Sequence, residues 1–232
     1  MTDLSEFPIN ARWPAKDPSV IQLYSYPTPN GVKISIALEE MGLAYEPHLV
    51  TLADADVKSD AFLSLNPNNK IPAIIDPDGP DGTPLALWES GAILLYLAEK
   101  SGKLGGNTAA EKAVITQWLM FQMGGLGPMT GQLGYFFKFA GKDIEDTRPV
   151  DRYIAEVKRL LAVVDKQLDG RDWITGTFSI ADIAIAPWLN ALEFYGAKDV
   201  TGYHDLKNVP AYVDRFFARP AVDKGRQIPA PS

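Results

Sequence analysis

Across its 232 residues the chain has no cysteine and only two histidines. The missing cysteine excludes disulfides, thiolate metal sites and a cysteine nucleophile, and it fits a reducing compartment. Any thiol chemistry must therefore borrow its thiol from another molecule. His48 and His204 lie far apart with no metal-ligand spacing, so no metal is expected. Basic residues are outnumbered, 22 against 29, for a formal charge of −7, which argues against a surface devoted to phosphodiester backbones and hence against a nucleic-acid partner. Long hydrophobic runs are lacking too, and residues 1–19 have no apolar core flanked by basic residues. The expectation is a cytoplasmic protein with no membrane partner.

What is present is ordinary for a globular protein: 46% hydrophobic and 22% charged residues, enough for one large or two modest domains. Residues 1–19 carry Phe7, Pro8, Trp13 and Pro14 without a period, and read as an arm laid over a surface, outside the fold proper. An apolar strand from residue 20 to about 25 meets the polar turn Thr28-Pro29-Asn30-Gly31. The helix that follows places Ile34, Ala37, Leu38 and Met41 on one face until Gly42 stops it. Residues 45–52 read as a second strand, parallel to the first through a right-handed crossover. A helical stretch over 59–65 leads through Asn66-Pro67-Asn68-Asn69-Lys70-Ile71-Pro72 to strands at 73–76 and 85–88, whose hairpin-sized turn predicts antiparallel pairing. Residues 89–100 form a helix that Gly102 ends. The result is a small four-stranded mixed sheet with helices on it, complete by residue 102.

Residues 103–107 read as a linker, and 108–232 as an all-helical domain with a C-terminal tail. Val114, Ile115, Trp118, Leu119 and Gln122 form one stripe, and Ile154, Val157, Leu161, Val164 and Leu168 another. The broadest apolar face, Ile180, Ile183, Ala184, Pro187, Trp188, Ala191 and Leu192, predicts the core helix. Ser179 and Asp182 at its start resemble a capping box.

A strand that ends in a polar turn opening a helix presents free N–H groups and a positive dipole end, which favour a bound anion. Four segments, in this order, carry a resemblance: Thr28-Pro29-Asn30-Gly31, Asn68-Asn69-Lys70-Ile71-Pro72-Ala73, residues 88–97 (Trp88-Glu89-Ser90-Gly91 onward) and Gly124-Gly125-Leu126-Gly127-Pro128-Met129. Together they are similar to the glutathione transferases, in particular the bacterial Nu class and its fungal nitrogen-regulator relatives, over roughly residues 20–220. The resemblance implies a thioredoxin-like N-terminal domain (20–102) that binds glutathione, and a helical-bundle C-terminal domain (108–232) with an acceptor pocket.

It also implies a ligand set. Glu89 would take the γ-glutamyl ammonium, and Ser90 with the helix N-terminus the carboxylate, although both residues could simply cap a helix. Ile71-Pro72 matches the family's cis-proline turn, whose residue before proline pairs with the cysteinyl amide through its backbone. Lys70 would meet the glycyl carboxylate, unless it is a solvated loop lysine. Arg152 matches a position from which family members send an arginine to glutathione across a dimer interface; an arginine on a helix is otherwise a solvated face. Thr28 and Asn30 would hold the sulfur as catalytic residues, with Ser25 and Tyr26 as rivals at the strand end. Such donors would stabilise the thiolate, which is the nucleophile, without supplying a base. One departure stands out: Val57 occupies a place where family members commonly carry a ligand-contacting glutamine.

The expected function is that of a homodimeric glutathione transferase with disulfide-bond reductase activity, using glutathione as cosubstrate and a small electrophile or disulfide as partner. Two alternatives stay open. One is a glutathione-dependent etherase or lyase on aromatic substrates, suggested by Tyr135, Phe136, Phe137 and Phe139. The other is a non-catalytic scaffold on the same fold.

Overall fold

The protein is described by a computed structural model over residues 4–230. Residues 1–3 of the expected arm and 231–232 of the expected tail lie outside that range. The described residues form two compact units, one of residues 4–103 with 220–230 and one of residues 104–219.

In the first unit, strands β1 (Ile21–Ser25), β2 (Tyr45–Leu49), β3 (Ala73–Asp76) and β4 (Leu85–Trp88) form one sheet in the order β2-β1-β3-β4. β1 runs parallel to β2 and antiparallel to β3, and β3 is antiparallel to β4. Central β1 is buried along its whole length, as a strand covered on both faces must be. Helix α1 (Gly31–Met41) links β1 to β2 and packs on α4 (Ser90–Ser101). Both helices end at glycines in the left-handed region, Gly42 at φ 71° and Gly102 at φ 67°, where a Cβ is disfavoured. β2 is shorter than the expected 45–52. The Asp56 carboxylate accepts from the Thr51 N–H at 2.9 Å and the Thr51 hydroxyl at 2.6 Å, which curls the chain into α2 (Asp54–Val57). Helix α3 (Asp60–Leu65) follows, capped by the Ser59 hydroxyl.

Two boundaries need correction. The N-terminal segment is not an arm outside the fold. Leu4 and Ile9 are buried in one cluster with Tyr24, Val50, Phe62 and Ile71, and Phe7 and Trp13 pack against it. The Trp13 indole donates to the Leu49 carbonyl at 2.9 Å, and Arg12 pairs with Asp56. Isolated anchors of this kind leave no period for a sequence pattern to reveal. At the other end, α10 (Pro220–Gly225) belongs with the first unit rather than with 108–219. The Ser35 hydroxyl donates to the Gly225 carbonyl at 2.7 Å, and Lys224 pairs with Glu39 at 2.8 Å.

The second unit holds α5 (Ala109–Phe121), a π turn at Gln122–Leu126, α6 (Gly127–Phe137), α7 (Arg148–Gln167), α8 (Ile180–Tyr195) and α9 (Val209–Phe217). Its core is α8, where Ile180, Ile183, Ala184 and Leu192 are buried. The capping box at Ser179 and Asp182 is present, and a second, unforeseen one lies at Thr108 and Glu111. Val114 is exposed rather than part of its stripe, and Leu160 joins the α7 stripe, where Ile154 is only half-buried. Among the described residues no helix is long and apolar enough to cross a membrane.

Candidate functional site

The register of the sheet places three loops together in the first unit. Tyr24, near the C-terminal end of β1, pairs with Ala73 at the start of β3, and Ala73 pairs with Trp88 at the end of β4. The turn after β1, the loop before β3 and the start of α4 therefore share one end of the sheet. Thr28, Asn30, Lys70, Ile71, Pro72, Glu89 and Ser90 all lie on these three segments. Two helix N-termini, those of α1 and α4, open at the same end and add their positive poles.

The first loop is built on Thr28. Its N–H donates to the Tyr26 carbonyl at 2.7 Å, its carbonyl accepts from Val32 at 3.0 Å, and its hydroxyl oxygen accepts from the Gly31 N–H at 3.2 Å. With the oxygen engaged by an N–H, the half-buried hydroxyl still has a proton to donate. Asn30 precedes the helix with helical backbone angles (φ −81°, ψ −37°), and its side chain does not cap it. Gly31 is required by close approach, because a Cβ there would lie 1.9 Å from the Tyr26 carbonyl oxygen and 2.6 Å from the Ser25 hydroxyl. Of the two rivals at the strand end, Ser25 is fully buried, and Tyr26 packs against the core cluster.

The second loop depends on Asn66, a residue that sequence reasoning passed over. Only 2% exposed, it donates its amide to the Lys70 carbonyl at 2.5 Å and accepts the Asn68 N–H at 2.9 Å. The signal was available in the composition of Asn66-Pro67-Asn68-Asn69, since asparagine side chains mimic backbone turns. Lys70 is exposed, and the Ile71–Pro72 bond is cis. Val57 is buried in the core cluster, so this position offers no polar side-chain atom to a ligand.

At the third segment, Glu89 has φ 72° and ψ 111°, outside the regions an ordinary side chain prefers. Such backbone costs on the order of 1–3 kcal/mol and is characteristic of ligand clamps. Glu89 is exposed, whereas Ser90, the first residue of α4, is buried. Beneath them lies Lys33, fully buried on α1, whose ammonium donates to the Ser90 hydroxyl oxygen at 3.3 Å. Burial pushes the Lys33 pKa down to about 7, and the nearby Glu89 carboxylate works against that shift.

Arg152 is exposed on α7 of the second unit. The aromatics after the Gly-rich segment are not plain core: Tyr135 and Phe139 are exposed, and Phe136 stacks on Tyr153 at 5.5 Å between ring centroids. Among the described residues no group of three or more histidines, aspartates or glutamates is placed to hold a metal ion.

A mixed sheet in this order, with a helical unit following it, is the architecture of a thioredoxin-like domain joined to a transferase bundle. Residues 19–99 match the glutathione S-transferase N-terminal domain and residues 149–219 the C-terminal domain. The chain belongs to the glutathione S-transferase family. It is 45% identical over 205 residues to the disulfide-bond oxidoreductase YfcG of Escherichia coli (strain K12), covering 88% of this chain and 93% of that protein. A glutathione transferase from Burkholderia graminis, solved with two glutathione molecules per subunit, is 58% identical with a TM-score of 0.98, covering 100% of this chain and 98% of its own. One from Pseudomonas putida, solved with one glutathione disulfide per subunit, is 57% identical with a TM-score of 0.97, covering 99% of this chain and 100% of its own.

Proposed function

We propose that the protein is a glutathione-dependent disulfide-bond reductase with transferase activity, and that residues 20–102 carry its glutathione site. The observation that carries this reading is the convergence of the Thr28 turn, the Ile71–Pro72 loop and the Glu89–Ser90 helix start at one end of the sheet. Relatives that hold two glutathiones or one glutathione disulfide support it. Thr28 and Asn30 receive the sulfur, the Ile71 backbone the cysteinyl amide, Lys70 the glycyl carboxylate, and Glu89 with Ser90 the γ-glutamyl ammonium and carboxylate. Pro72 fixes the Ile71 backbone. We assign Arg152 of the partner subunit to the same ligand in a homodimer, and place the enzyme in the cytoplasm.

Because the chain has no thiol of its own, both electrons must come from glutathione. One glutathione thiolate attacks a sulfur of the substrate disulfide, forming a mixed disulfide and expelling a substrate thiolate. A second glutathione thiolate attacks the glutathione sulfur of that intermediate, releasing glutathione disulfide and the second substrate thiolate. Two protons taken from the two glutathiones complete the two product thiols. The expected result is that 2-hydroxyethyl disulfide is reduced with glutathione as the sole electron source. Inactivity in that assay together with brisk conjugation of an aryl halide would overturn the reductase reading in favour of a transferase or etherase. Failure to bind glutathione in a calorimetric titration would favour a scaffold.

A further inference from the structure

A fully buried lysine needs an explanation, because lysine is almost never fully buried unless paired. Lys33 lies on the buried stretch 31–38 of α1, beside Val32 and Ile34, where methionine would fill the same length without desolvating a charge. Its ammonium reaches the first residue of α4, donating to the Ser90 hydroxyl 3.3 Å away. That is the place where the proposed site receives a carboxylate.

We infer that Lys33 is a positioning residue for the γ-glutamyl carboxylate: its ammonium holds the Ser90 oxygen, so that the hydroxyl proton turns toward the carboxylate, and it sets a positive charge behind that bond. A hydroxyl that accepts from a cation becomes a stronger donor, because hydrogen bonds in a chain polarise one another. The buried setting strengthens the effect, since water screens little of the charge. Glu89 completes the pattern from the exposed side. The γ-glutamyl group carries an ammonium and a carboxylate on one carbon, and the start of α4 offers it an acid and a lysine-backed hydroxyl. The depressed pKa of Lys33, down to about 7 and opposed by Glu89, fits an ammonium that gains from an anion placed beside it.

This inference rests on the assignment of Glu89 and Ser90 to the γ-glutamyl end, and its test separates the two. Calorimetric titrations of the intact protein would compare glutathione with 4-aminobutanoyl-cysteinylglycine, which lacks only the γ-glutamyl carboxylate. The wild-type protein is expected to bind glutathione roughly 10- to 100-fold more tightly than the analogue, the range for one charge-assisted hydrogen bond. Lys33→Met is expected to lose most of that preference while binding the analogue within about threefold of wild type, as the loss of that single bond requires. Lys33→Gln keeps a donor for Ser90 without the charge. It is expected to retain only part of the preference, and it serves if methionine prevents folding. An unchanged preference in either variant, or equal weakening toward both ligands, would overturn the role of Lys33. A wild-type protein that does not prefer glutathione would instead overturn the γ-glutamyl assignment itself.

Discussion

Removing both sulfur donors, in Thr28→Ala with Asn30→Ala, is expected to lower kcat/KM for glutathione-dependent disulfide reduction at pH 7 by at least tenfold and up to about 100-fold. A hydrogen bond to a charged group is worth about 1.5–3 kcal/mol, so losing two donors raises the pKa of the bound thiol by about 2 units. If that pKa rises from about 6.5 to the free value near 8.5, the thiolate fraction at pH 7 falls roughly 25-fold. The more basic thiolate is also the better nucleophile, which offsets up to about tenfold of this loss. Loss of orientation at sulfur adds to the deficit, because near-attack geometry is itself a large share of the barrier. The deficit should narrow as the assay pH approaches 9, where free thiol ionises unaided.

Two controls sharpen the test. Thr28→Ser keeps the hydroxyl that accepts from Gly31 and should retain most of the activity. Tyr26→Phe should stay within about threefold of wild type, because Tyr26 packs against the core cluster and an aromatic swap there preserves volume. Strong loss in Tyr26→Phe with little in the double variant would move the sulfur contact to the strand end.

The largest stability effect is expected at Asp182. Its carboxylate accepts from the Ile174 and Ser179 N–H groups at 2.9 Å each, the Tyr212 hydroxyl at 3.1 Å and the Ser179 hydroxyl at 3.2 Å. Burial pushes its pKa up to about 6 against those four donors, so it is ionised at neutral pH. Asp182→Ala strands buried donors, each costing about 1–3 kcal/mol, and breaks the cap of α8, worth about 1 kcal/mol. With four donors and the cap, the low end totals about 5 kcal/mol, a fall in Tm of roughly 10–20 °C for a chain of this size. Thermal melts followed by far-UV circular dichroism would check it, and a fall under about 2 °C, at most about 1 kcal/mol here, would contradict it.

Where the sequence could be read, the signal was local and doubled. Strands 73–76 and 85–88 have the observed bounds because Gly, Pro and Asp fill the turn between them. The Ser179–Asp182 box was legible because cap and partner sit three residues apart ahead of an apolar run. The failures came from contacts that no window contains. Asp56 ends β2 early through Thr51, Leu4 and Ile9 are single anchors, and α10 is too short to show a period. Thr28, Ile71-Pro72 and Glu89-Ser90 enter the proposed site through motif resemblance, and the sheet register sets their three segments at one end. Asn66 and Lys33 carry no such motif, since one acts through a turn and the other looks, in sequence, like any helix lysine.

The proposed chemistry depends on a borrowed thiol made anionic by the turn after β1. The most direct measurement is a pH titration of glutathione bound to the wild-type protein, followed by ultraviolet thiolate absorbance. The predicted result is an apparent pKa about 1–2 units below the free thiol value near 8.5, returning toward that value in the Thr28→Ala, Asn30→Ala protein. A bound thiol that titrates at the free value in an active wild-type enzyme would contradict it.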